Sequence, residues 1–181
     1  TAMPCITIYD YADIKNRGIV EGYYGYPYSV SVKKDLMRFM MRYKMNTYLY
    51  GAKSDPYHSE KWMDAYPTSV TAQQETNGWL SQAMLREVTA ESHATKVNFI
   101  WAIHPGNKFL GSNTVINDIM GKFAKMYDLG VRQFGVFVDD VGIPSDDAGY
   151  KLNADRLTQL QKAMDSKYNV AGAAAADTVK P

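Results

Sequence analysis

Asp139 and Asp140 stand side by side in "QFGVFVDDVG", residues 133–142, at the end of what reads as a buried strand. Such a strand has no use for an ionised group, and two adjacent ones repel each other. The pair must therefore be hydrogen-bonded, hold a metal, or do chemistry. Three readings are open: a helix N-cap cluster, a metal-binding pair and an acid–base pair. Val141, Gly142, Ile143 and Pro144 do not begin a helix at once, which weakens the first, and the metal reading lacks further ligands. Acid–base work leads. The three histidines, His58, His93 and His104, lack the HxxxH and HExxH spacings of zinc sites, so neither a metal nor a cofactor is expected.

Chemistry at a strand end needs a scaffold that gathers strand ends. From Arg17 onward the chain repeats one unit: a short apolar run, a polar loop, and a segment with apolar residues at helical spacing, as in Leu36, Phe39, Met40 and Tyr43. The pattern predicts strands over 17–25, 45–53, 96–104 and 133–141, and helices over about 31–44, 77–93, 112–129 and 152–167. Strands alternating with helices imply a parallel sheet with right-handed crossovers. Residues 66–77, "YPTSVTAQQETN", read as a polar surface insertion. Residues 1–16 share no periodicity with the rest and read as a lead-in from a preceding segment or a short strand, leaving 17–181 as the domain.

A closed (β/α)₈ barrel typically takes about 250 residues, so four units make about half of one. A doubly wound sheet could be complete at this length, but its first strand-to-helix turn often carries a glycine-rich phosphate loop. "EGYYGYPYS" is not such a loop, because its tyrosines crowd the place of a phosphate. The expected fold is α/β: a partial (β/α)₈ barrel of about four units with sequential parallel strands. Its loops would open on one face and bring together Glu21 and Gly22 with the tyrosines, Lys53, His104, and Asp139 with Asp140. Tyrosine rings at strand ends suit the apolar faces of sugar rings.

Composition narrows the function classes. With 46% hydrophobic residues and a net charge of +1, the 181-residue chain can build one core but has no field for collecting nucleic acid. The longest apolar run, "VNFIWAI", is too short to span a bilayer, and the lone Cys5 allows no internal disulfide. The compartment is not legible; for a bacterial source, a secreted or periplasmic place is the expectation.

Four blocks, "RGIVEGYYGYPYS", "MNTYLYGAKSDPYHSEKW", "VNFIWAIHPG" and "FGVFVDDV", together resemble glycoside hydrolase family 84. These are retaining β-N-acetylglucosaminidases that include protein O-GlcNAcases and enzymes once called hyaluronidases. The resemblance implies the N-terminal half of a catalytic barrel acting on N-acetylglucosamine-containing glycans or glycoproteins. It also implies substrate-assisted catalysis, an exception to the two-carboxylate scheme. The substrate's own acetamido oxygen attacks the anomeric carbon and forms an oxazoline. By the same resemblance Asp139 accepts the acetamido N–H, while Asp140 protonates the leaving oxygen and later deprotonates water. Gly22, through its carbonyl, and Lys53 bind sugar hydroxyls, and Tyr24 lines the pocket. Tyr23, Ser54 and Tyr28 depart from the residues usual in the family, which bears on fine specificity. The rival readings are a noncatalytic sugar-binding module and a metal-dependent barrel hydrolase. Four strands alone are expected to self-associate, to need the remaining half of the barrel, and to be inactive.

Overall fold

The computed structural model describes residues 5–142 and 144–179; the first residues of the lead-in, Ile143 and the last two residues lie outside them. Four strands, β1 (Gly18–Glu21), β2 (Thr47–Tyr50), β3 (Asn98–Ile103) and β4 (Gln133–Val136), form one parallel sheet in the order β1-β2-β3-β4. Helix α1 (Val30–Arg42) follows β1. After β2 come α2 (Ala72–Thr76) and α3 (Gln82–Thr95), and after β3 come α4 (Lys108–Gly111) and α5 (Val115–Asp128). Helix α6 (Asp147–Tyr168) follows β4. Sequential order is what the wall of a (β/α)₈ barrel requires, whereas a doubly wound sheet reverses its order at a switch point. The fold is thus a partial (β/α)₈ barrel.

Alternation along the strands decides where the core sits. Tyr48 and Tyr50 of β2, with Phe99 and Trp101 of β3, are buried against the helices, where Met37, Met40, Leu85, Val88, Ile119, Phe123 and Met126 meet them. The other face carries Val20, 62% exposed, and the half-buried Leu49, Ile100 and Gly135. Ion pairs lock α1 to α3: Arg38 donates to both carboxylate oxygens of Glu91, at 2.9 and 2.8 Å, and Lys34 pairs with Glu87.

Two carboxylates are buried within the helix layer, and both are fully satisfied. Glu21 accepts from Lys33 Nζ at 2.9 Å, the Tyr48 hydroxyl at 2.5 Å and the Tyr28 backbone N–H at 3.0 Å. Asp55 accepts from the hydroxyls of Tyr50 and Tyr66 at 2.8 and 2.5 Å and from the Tyr57 N–H at 2.9 Å. These hydrogen bonds replace water for both carboxylates, although burial still pushes the Asp55 carboxyl above the ordinary carboxylate range.

Several sequence expectations need correction. The strands are shorter than predicted: they end at Glu21, Tyr50, Ile103 and Val136, and Gly22, Lys53, His104 and Asp139 lie beyond those ends. The stretch 66–77 is not simply a surface insertion: Tyr66 is buried, its hydroxyl also accepts from Trp101 Nε1, and α2 forms within the stretch with Thr71 and Gln74 as a capping box. Helix α3 starts later than predicted, where Ser81 caps it. Helix α6 starts earlier, because Asp146 accepts the Gly149 N–H at 2.7 Å as its N-cap. The described part of the lead-in, residues 5–16, forms no strand; its Ile6, Ile8, Tyr9, Tyr11 and Ile14 are exposed.

Candidate active site

The parallel ladder continues past the assigned strand ends, and this carries the site residues. Gly51 N donates to Glu21 O at 3.0 Å, Lys53 N to Tyr23 O at 3.3 Å, and Phe137 N to Ile103 O at 2.8 Å. Gly22 and Lys53 are therefore presented from the ends of neighbouring strands, and Asp139 two residues beyond Phe137. The Phe137 ring lies across the open face of the sheet. A Cβ on Gly51 would stand 2.4 Å from it, and one on Gly22 would stand 3.9 Å away. Only a residue without a side chain at position 51 leaves room for that ring.

Lys53 Nζ reaches across β3 to Asp139 Oδ2 at 2.6 Å, although its strand is not adjacent to β4. This hydrogen bond, with the lysine charge, holds Asp139 below the ordinary carboxylate range even though its side chain is 50% exposed. His104 Nε2 lies 2.8 Å from the Asp139 carbonyl oxygen and 3.6 Å from its Oδ1. Asp140 has φ +56°, in the left-handed region, and is exposed. The reading of the pair as part of a buried strand is corrected here. Strand β4 ends at Val136, and both aspartates sit in a turn beyond it. The N-cap reading is also removed, since Asp146 is the residue that caps α6.

Of the remaining candidates, Gly22 is half-buried at the end of β1, beside the Phe137 ring. Tyr24 is 80% exposed, and no hydrogen bond joins it to Lys53 or Asp139. Glu21 is buried on the helix side and binds Lys33, so it braces the tyrosine loop rather than facing the open end. Among the described residues, no three of His, Cys, Asp and Glu gather where one ion could join them. Among the described residues, no helix is long and apolar enough to cross a membrane.

Sequence reasoning placed His104 at a strand end without giving it a task, weighed His58 only as a metal ligand, and passed over Asn107 and Phe137. His58 is fully buried; its Nδ1 donates to Ala102 O at 2.9 Å, and its ring meets those of His104 and Phe137 edge-on. Burial holds its pKa down at about 4, so it is neutral at pH 7. The available signal was position: His104 lies just beyond β3, as Lys53 lies just beyond β2.

A family model described as beta-N-acetylglucosaminidase matches residues 17–179. The protein O-GlcNAcases of Rattus norvegicus and Mus musculus are each 29% identical to this chain over 125 residues, which is 68% of this chain and 12% of theirs. The solved structure of CpGH84D is 38% identical with a TM-score of 0.67, covering 87% of this chain and 26% of that one. CpGH84B is 32% identical with a TM-score of 0.68, covering 84% and 25%. An O-GlcNAc hydrolase mutant of Thermobaculum terrenum is 26% identical with a TM-score of 0.68, covering 84% and 33%. The chain thus spans a minor part of each relative's length.

Proposed function

This chain belongs to the β-N-acetylglucosaminidases of glycoside hydrolase family 84, and we propose that it supplies the acid–base and charge-stabilising carboxylates for hydrolysis of terminal β-linked N-acetylglucosamine. The observation that carries this reading is the unequal setting of two adjacent aspartates. Asp139 is ion-paired with Lys53 and bonded through its carbonyl oxygen by His104, whereas Asp140 is exposed and has a left-handed backbone. One carboxylate is held as an anion and its neighbour is exposed at the open strand ends.

In the proposed reaction the acetamido oxygen of the bound sugar attacks the anomeric carbon as the bond to the leaving oxygen breaks. Asp140 gives its proton to that oxygen. Asp139 accepts the acetamido N–H and balances the positive charge that grows as the oxazoline closes. Water then adds to the anomeric carbon, Asp140 takes its proton back, and the carbon–oxygen bond of the oxazoline opens to restore the acetamide. Two displacements at one carbon retain the β configuration. Gly22 and Lys53 hold the sugar hydroxyls, with Tyr24 at the rim. The substrates are glycans or glycoproteins that carry N-acetylglucosamine, and residues 17–181 act as part of a complete catalytic barrel.

The test is inhibition of the complete catalytic domain by a thiazoline that mimics the oxazoline. It is expected to bind at least ~10²-fold more tightly than N-acetylglucosamine, as intermediate and transition-state analogues do. Thiazoline binding no tighter than that of the sugar, in an enzyme that hydrolyses aryl N-acetylglucosaminides, would exclude the acetamido group as nucleophile.

A further inference from the structure

The turn that carries the aspartate pair is held on both sides of Asp140 by side chains from one neighbouring loop, the one between β3 and α4. On one side His104 Nε2 stands 2.8 Å from the carbonyl oxygen of Asp139, which belongs to the peptide joining the two aspartates. A carbonyl only accepts, so Nε2 carries the hydrogen. On the other side Asn107 Oδ1 accepts the Gly142 backbone N–H at 3.1 Å. Between these two bonds Asp140 has φ +56°, a conformation that non-glycine residues keep only where their surroundings hold it.

His104 is itself anchored. Its backbone N donates to His58 O at 2.8 Å, and its ring packs edge-on to that of His58 at 6.2 Å between centroids. His58 is in turn fixed from the buried side by its bond to Ala102 O. The chain of contacts runs from the core, through two imidazoles, to the peptide plane that sets where the Asp140 carboxyl points. Neither His104 nor Asn107 is given any task by the reaction itself.

We infer that His104 and Asn107 are positioning residues for Asp140, fixing the peptide that precedes it and the Val141–Gly142 peptide one residue beyond it, so that its carboxyl is aimed at the leaving oxygen. The inference rests on the acid–base role proposed for Asp140. A misaimed acid costs most where the leaving group needs its proton, so the signature is selectivity between substrates rather than a general loss.

The test uses the complete catalytic domain, with an alkyl N-acetylglucosaminide, whose leaving group is poor, and a dinitrophenyl one, whose leaving group is good. His104→Ala and Asn107→Ala are each expected to lower kcat on the alkyl substrate by ~10- to 100-fold, the scale of a small misplacement of a reacting group. Turnover of the dinitrophenyl substrate and KM should change far less, and Asp140→Asn should show the same selectivity with a larger loss. His104→Gln, which keeps a side-chain N–H donor, should recover much of the alkyl activity. A crystal structure of His104→Ala should find Asp140 outside the left-handed region. Equal losses on both substrates, unchanged kinetics, or Asp140 retained at positive φ in that crystal would overturn the inference. If His104→Ala fails to fold, Asn107→Ala decides by the same kinetics. A wild-type domain inactive on both substrates would refute the functional reading instead, and the crystal structure would then decide the positioning alone.

Discussion

Lys53 is the residue whose consequence reaches furthest, because its ammonium favours the anionic form of Asp139. The sign follows from the charge: a cation 2.6 Å away favours the ionised carboxylate and lowers its pKa. If the reaction needs ionised Asp139, activity persists to lower pH while Lys53 is in place. Lys53→Met is therefore expected to move the acid limb of the kcat/KM profile to higher pH, in addition to weakening sugar binding. A pH–rate series on the complete domain checks this, and an unmoved limb would separate Lys53 from the ionisation of Asp139. Lys53 was legible in the sequence as a strand-end residue, but its contact with Asp139 was not. That contact spans β3, and no local pattern encodes which side chains meet across an intervening strand. Burial of the pair was misread for a related reason. Val136, Phe137 and Val138 form one apolar run, although the hydrogen-bond ladder that makes a strand stops partway along it.

Strand identity and order were legible because apolar runs alternate with helical spacing, and only parallel crossovers satisfy that alternation. Element boundaries were less so, since caps fix them. Asp146 starts α6 ahead of its first strongly apolar residue, and Ser81 delays α3. The buried satisfaction of Tyr66 by Asp55 and Trp101 escaped notice because it joins elements distant in sequence. At this scale His58 carries a prediction about stability. The imidazole is buried between the ends of β3 and β4, and its pKa falls from an ordinary 6.5 to about 4. As pH drops through that window the unfolded chain binds a proton that the folded chain refuses, so stability falls as pH falls. The contribution is complete above about pH 6.5 and lost near pH 4, and it amounts to ~3 kcal/mol at about 1.4 kcal/mol per pH unit. Urea titrations at pH 7 and pH 4.5 should show His58→Gln losing less stability than wild type across that interval. Equal losses would mean that other groups dominate acid unfolding.

At the scale of the whole molecule, the helix side of the sheet is closed and the opposite side is open. Among the described residues β1 and β4 pair on one side only, and Val20 with Leu49, Ile100 and Phe137 lies on the face away from the helices. An apolar face flanked by free strand edges invites association. The 181-residue chain expressed by itself should therefore run larger than its 20.4 kDa mass by light scattering, and should hydrolyse an aryl N-acetylglucosaminide weakly or not at all. A monomer with robust turnover would show that four strands suffice. The sequential order β1-β2-β3-β4 also bears on biosynthesis. A ribosome delivers the chain from its N-terminus at roughly 5 to 20 residues per second, and domains tend to organise in that direction. Each strand here finds its partner already made, because its template is the strand translated just before it. The nascent chain can add one βα unit at a time without holding an early strand unpaired for a distant late one, so its exposure to chaperones and to misassembly is limited to the newest edge.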